Sequence, residues 1–304
     1  MEPVDRRTFL IASGALAVAA CSSDKGEKGD SGDSTDGASS SAGVDAITAI
    51  STSESGFTLA QRFSSAVIVA GTPRLPFSLA NNQALLSDGP DVLHGEVRDA
   101  EGVIVIPSIS AKKRQVTEGI SYWDFHPTLE TIGIYYLIID GGTPDGGAFQ
   151  INDPATVLVP FVGQALRPID TPTTTDGRGV DPICTRLEGG PCPFHALTLT
   201  EALATGKPVA YLIGTPAHCQ FGTCAPGLEF LINSSKRLGD KLVVVHAEVY
   251  TDDSATISTE AVEEYHLTFE PTIFIANSRG TVVQRLDAAW DQSELDEELD
   301  KLFG

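Results

Sequence analysis

The stretch Thr215-Pro-Ala-His-Cys-Gln-Phe-Gly-Thr-Cys-Ala-Pro226 holds two cysteines, Cys219 and Cys224, with four residues between them. Paired thiols support disulfide exchange, soft-metal binding or a covalent staple. On a regular helix, residues i and i+3 lie about 5 Å apart at Cα, within disulfide range, whereas i and i+5 lie roughly 8 Å apart and diverge. Cys219 and Cys224 therefore cannot be bonded on one regular helix. Gly222 offers the backbone freedom for a loop, and Thr223 suits an N-cap with Cys224 at the first helical position and Pro226 still inside the first turn. A helix N-terminus stabilises a thiolate at Cys224, while a protonated His218 favours one at its neighbour Cys219.

The chain has five cysteines. Cys184 and Cys192 enclose Thr-Arg-Leu-Glu-Gly-Gly-Pro, a short loop with turn residues, and a structural disulfide is expected there. Other pairings stay open, including a relay in which Cys184 or Cys192 exchanges with the 219/224 pair. His246 and Glu248 share strand parity in Val-Val-Val-His-Ala-Glu-Val-Tyr and, with His218, are candidates for a proton relay.

The fifth cysteine closes a different pattern. Arg6-Arg7, an apolar run over Phe9 to Ala20 and the terminus Val18-Ala19-Ala20-Cys21 stand in the order of an export signal. The paired arginines resemble a twin-arginine signal over 1–21, and the last four residues resemble a lipobox, which implies lipidation at Cys21. Residues 22–44 are Ser, Gly and Asp with little to bury, and read as a disordered tether. The location implied is the outer face of the cell membrane. Of 304 residues, 41 are acidic and 20 basic, a net charge of −21, so nucleic acid and anionic headgroups are repelled as partners.

The elements that must position the thiols fall into two regions. From 45 to 165, short β-rich runs alternate with turn signals: AVIVAG, RLPFSLAN, DVLHGEVRD, GVIVIPSI, ISYWDFH, GIYYLIID and TVLVPFVG. Their number and spacing predict an immunoglobulin-like β-sandwich. Residues 166–182, rich in Pro, Thr and Asp, read as a linker. From 183 to 304 strands alternate with helices: a capped helix from Thr198, the buried run PVAYLIGT, a helix to Leu238, KLVVVHAEV, a helix near Thr259–Tyr265, the hairpin TIFIAN/TVVQRLDA, and a last helix from Asp291 with Glu294 as capping box.

A parallel βαβ followed by an antiparallel ββα is the element order of the thioredoxin fold. The resemblance to the thioredoxin family covers about 195–304. Lys207-Pro208 leads into the first buried strand, that strand runs into the Cys219 loop, and Phe269-Glu270-Pro271-Thr272 resembles the family's cis-proline strand entry. The resemblance implies Cys219 as attacking thiol, Cys224 as resolving thiol, and Glu270, Pro271 and Thr272 as the backbone platform for an extended partner chain. The chain departs from the family where a buried acid precedes the cysteine; Leu212 or Ile213 stands there.

These residues suggest a thiol–disulfide oxidoreductase acting outside the cytoplasm on protein disulfides without a cofactor. Two alternatives remain at this level. One is copper handling, with Cys219, Cys224 and His266 as ligands, since thiolate and imidazole suit copper. The other is a non-catalytic binding module in which the 219/224 disulfide is structural.

Overall fold

The computed structural model describes residues 56–81 and 84–304. The expected signal with Arg6, Arg7 and Cys21, and the tether 22–44, lie outside the described residues. Among the described residues no helix is long and apolar enough to cross a membrane.

Seven strands build the first sheet: β1 (Thr58–Gln61), β2 (Leu75–Ala80), β3 (Val92–Asp99), β4 (Ile104–Thr117), β5 (Ile120–Phe125), β6 (Gly133–Ile139) and β7 (Gly147–Ile151). All neighbours are antiparallel, in the order β1-β2-β5-β4-β3-β6-β7. The region is a large antiparallel sheet, but not the two facing sheets that the strand spacing predicts. The long β4 pairs with β3 over residues 104–112 and with β5 over 113–117, so one strand continues the sheet round a bend. The ends then meet: Phe57 N–H donates to the Gly141 carbonyl at 3.1 Å, and Thr143 N–H to the Phe57 carbonyl at 2.8 Å. The near-closed sheet wraps Phe77, Leu79, Trp123, Phe125, Leu137 and Ile151, all fully buried.

Two expected strands are not strands. In AVIVAG the chain makes a 3-10 turn at Ser65–Val67 and only isolated bridges at Val69 and Gly71. TVLVPFVG buries Val157 and Val159 while exposing Leu158 and Val162, and takes no ladder partner. β1 and β7 take the two vacant places; β7 alternates buried and exposed residues over Gly-Ala-Phe-Gln-Ile. Tyr135 Oη donates to the Thr131 carbonyl at 2.9 Å, the upstream hydrogen bond of a tyrosine corner.

The second region contains α1 (Leu199–Ala204), β8 (Val209–Ile213), α2 (Cys224–Leu238), β9 (Val243–Ala247), α3 (Glu260–Tyr265), β10 (Thr272–Ala276), β11 (Val282–Asp287) and α4 (Gln292–Asp300). Thr198 and Glu201 form the capping box that starts α1. The sheet order is β11-β10-β8-β9; β8 and β9 are parallel, while β8–β10 and β10–β11 are antiparallel. This is a thioredoxin-like arrangement. The C-terminal ends of β8 and β9 and the start of β10 converge at one edge, where loops carry the cysteines.

Segment 166–182 connects the two sheets as a packed strap. Leu166, Ile169, Thr171 and Thr173 are buried, and Thr171 Oγ1 accepts from Leu199 N at 3.1 Å. Asp291 caps α4 by accepting from Glu294 N at 2.8 Å. The Glu294 side chain does not return to complete a box, because Arg74 of the first region and Tyr122 Oη hold its carboxylate. Arg74 also donates to the Asp287 and Ala289 carbonyls. Burial works against the Arg74 charge, but the Glu294 carboxylate more than offsets it and holds its pKa above the ordinary value.

Candidate functional site

Cys219 lies on the loop after β8, and Cys224 is the first residue of α2; the two are disulfide-bonded with Cα atoms 5.9 Å apart. The chain between them reverses at Gly222, whose φ of +68° lies in the left-handed region that glycine tolerates. Thr223 occupies the N-cap position without capping; its hydroxyl donates to the Ala288 carbonyl instead. The sulfur of Cys219 fills the vacancy by accepting from Cys224 N–H at 3.2 Å. The helix terminus thus points its N–H at Cys219, where a thiolate would form on reduction. Cys219 is half-buried, whereas Cys224 is 1 % exposed.

Beneath the pair sits the loop before β10. The Glu270–Pro271 peptide is cis. A side chain placed on Gly214 would meet the Pro271 ring at 3.1 Å and Cys224 Sγ at 3.8 Å, so the proline and the inner sulfur share one pocket wall. Glu270 Oε2 accepts from Thr215 N–H at 2.9 Å and lies 3.6 Å from Cys224 Sγ. Burial pushes the Glu270 carboxyl up to about 8; the Thr215 N–H opposes this and nearby Glu248 adds to it. Thr272 is fully buried at the start of β10, opposite Ile213, so its side chain is not on the partner-facing surface.

The expected relay residues point elsewhere. His218 packs its ring edge-on against Tyr250 and places Nε2 3.6 Å from Asp253 Oδ1. Glu248 is buried and accepts from Thr185 N at 2.6 Å and from Thr185 Oγ1 at 3.0 Å. Burial raises its pKa, while His246 and the Thr185 N–H lower it. His266 is exposed at the left-handed C-cap of α3 and joins no ligand group with Cys219 and Cys224 among the described residues.

Cys184 and Cys192 are free thiols, not the expected disulfide. His246 from β9 stands between them, with Nδ1 3.7 Å from Cys184 Sγ, 3.5 Å from Cys192 Sγ and 3.3 Å from His195 Nε2. All four side chains are buried, and their ligand atoms lie within 4.8 Å of one another.

No known family profile and no curated protein matches the chain. Among solved structures, the chain is similar to a thioredoxin-family thiol:disulfide interchange protein from Chlorobium tepidum TLS, at 14 % identity and a TM-score of 0.30, over 46 % of this chain and 100 % of that one.

The side-chain role of Glu270 and the participation of His195 escape a reading of the sequence alone. The place upstream of Cys219 is filled by Leu212 and Ile213, both buried in β8, and the nearest acid instead enters from Glu270, 46 residues beyond Cys224. The signal was its position directly before Pro271. His195 lies three residues beyond Cys192, with only Pro193 and Phe194 between, a cysteine-to-histidine spacing that marks a shared loop once a second histidine is brought to it.

Proposed function

We propose that this chain is a thiol–disulfide oxidoreductase acting on protein disulfides, exported and held at the outer face of the membrane through lipidated Cys21. The observation that carries the reading is the asymmetry of the pair: a half-exposed Cys219 at a helix N–H, bonded to a buried Cys224 with a carboxyl group 3.6 Å away. In the reducing direction, the Cys219 thiolate attacks one sulfur of a partner disulfide. An S–S bond forms to Cys219, and the other partner sulfur leaves as a thiolate that takes a proton from water. Cys224 then gives its proton to Glu270 and attacks Cys219 Sγ, releasing the second partner thiol. Two electrons pass to the partner and the Cys219–Cys224 bond is restored. The oxidising direction is the reverse.

A shallow groove beside the pair is lined by Arg186, Leu187, Pro216, Ala225 and Pro226. Leu187 is 65 % exposed and offers an apolar contact to an extended partner chain. The net charge of −21 argues for a protein partner rather than nucleic acid.

The reduction potential of the pair tests the reading. Equilibration in dithiol redox buffers, with the 219/224 state read by alkylation and mass spectrometry, is expected to give a value above about −300 mV. A value well below that identifies a structural staple and overturns the proposal.

Glu270 supplies a pH signature. Its carboxyl ionises at about 8, so the resolving step is expected to speed up as pH rises through that value. Glu270→Gln should remove the inflection and slow resolution by about a hundredfold, read by quenched-flow alkylation. Stability moves the opposite way. An unfolded glutamate ionises near about 4.3, so between that pH and about 8 the folded chain holds the extra proton and loses stability as pH rises. The Gln variant should flatten that slope.

A further inference from the structure

We propose that Cys184, Cys192, His195 and His246 form a closed tetrahedral site for a zinc-class divalent cation. With metal–sulfur bonds of about 2.3 Å and metal–nitrogen bonds of about 2.0–2.1 Å at tetrahedral angles, the edges of such a site are about 3.3 Å for N···N and about 3.6 Å for S···N. The cluster has an N···N edge of 3.3 Å and S···N edges of 3.5 and 3.7 Å. Three of the six edges thus already have the lengths that such an ion imposes, and all four ligand atoms lie within 4.8 Å of one another.

The hydrogen bonds outside the cluster fix where the lone pairs point. His246 Nε2 lies 2.9 Å from the Gly214 carbonyl and His195 Nδ1 lies 3.4 Å from the Pro172 carbonyl. A carbonyl only accepts, so each of these nitrogens carries the ring proton. With both rings neutral, the inner nitrogens, His246 Nδ1 and His195 Nε2, are left as acceptors 3.3 Å apart, and a cation between them takes both lone pairs. Cys192 N–H donates to Cys184 Sγ at 3.3 Å, a contact that favours a thiolate.

Charge and donor type select the ion. A divalent cation with two thiolates and two neutral imidazoles has no net charge, which suits a site whose most exposed member, Cys184, is 7 % exposed. Binding is not a redox step: two S–H protons leave to solvent, two metal–sulfur and two metal–nitrogen bonds form, and no electrons move. Two sulfurs and two nitrogens in a tetrahedron fit zinc, and four protein donors leave no position for water, so the ion is structural.

Its place gives it a task that stands independently of the exchange reaction. The site ties loop 183–195 to the end of β9 and, through His246, to Gly214. Thr185, next to Cys184, accepts from Ala217 N–H at 3.1 Å and so braces the loop that carries Cys219.

The reduced full-length chain is mixed with zinc chloride and desalted, and its metal is counted by mass spectrometry; a parallel sample receives cobalt chloride. The expected result is one zinc per chain, with Cys184 and Cys192 protected from alkylation. Cobalt should give the intense visible bands of tetrahedral coordination together with a thiolate charge-transfer band. A Cys219→Ser/Cys224→Ser chain should keep its one zinc, while His195→Ala should weaken binding by more than the about 10–100-fold that loss of an outer partner costs. Zinc retention unchanged in His195→Ala overturns the assignment. So does a Cys184–Cys192 disulfide that persists when zinc is offered, or binding of Cu(I) with no uptake of zinc or cobalt. Should His195→Ala fail to fold, the cobalt spectrum of the unsubstituted chain decides, and an octahedral or absent spectrum overturns the site.

Discussion

A Cys224→Ala chain is expected to arrest as a mixed disulfide through Cys219 when it meets a protein disulfide, whereas Cys219→Ala should form no adduct. The difference follows from access. Cys219 is half-buried on its loop and Cys224 is 1 % exposed, so a partner sulfur reaches only the first. Removing Cys224 leaves attack intact and deletes the thiol that would release the partner. Removing Cys219 deletes the nucleophile, and exchange should fall by at least about a thousandfold. Non-reducing electrophoresis and mass spectrometry of the adduct read both outcomes. Adducts on Cys224 in the Cys219→Ala chain, formed as fast as on Cys219 in the other, would reverse the assignment.

The second large effect concerns stability. Arg74 and Glu294 have side chains 4 % and 2 % exposed, and Tyr122 Oη shares the same carboxylate. Arg74→Met keeps the bulk and leaves the Glu294 charge buried with its main counter-ion gone. Breaking such a pair from one side costs about 3–5 kcal/mol. Denaturant unfolding of the variant should show that loss, and adding Glu294→Gln should recover part of it because the stranded charge disappears. A loss under about 1 kcal/mol in Arg74→Met would mean that solvent reaches the pair. Because Arg74 precedes β2 while Glu294 lies in α4, the damage should reach both sheets in one transition.

Local features were legible in the sequence because their causes are local. The Cys219 loop, the helix beginning at Cys224, the capped start of α1 at Thr198 and the loop at Gly222 all follow from spacing and residue type. What pairs over long range was not. Nothing in β4 announces that its two halves serve different neighbours, so seven strands read as two facing sheets when they form one curled sheet. TVLVPFVG has the composition of a strand, yet Pro160 and two exposed apolar residues sit in an irregular segment. His246 shows the same limit in the site. Its parity with Glu248 made both candidates for a proton relay, but the approach of loop 183–195 turns the ring toward Cys184 and Cys192 rather than toward the Cys219–Cys224 pair. Glu270 was placed as part of a backbone platform, because no sequence rule reports that a side chain before Pro271 folds back to within 3.6 Å of Cys224.

The turn at Gly222 also has a neighbour from the other sheet. A side chain there would meet Ile120 Cδ1 at 3.7 Å, and Ile120 starts the strand whose Tyr122 is anchored on Glu294. One flank of the spacer therefore lies against Ile120, two residues from the Tyr122 that is held on the buried ion pair. The partner disulfide of the proposed exchange is expected to arrive from the opposite flank. In the proposed exchange, selection among partners is then expected to depend on clearance, an extended strand fitting past Ile120 more readily than a bulky folded surface.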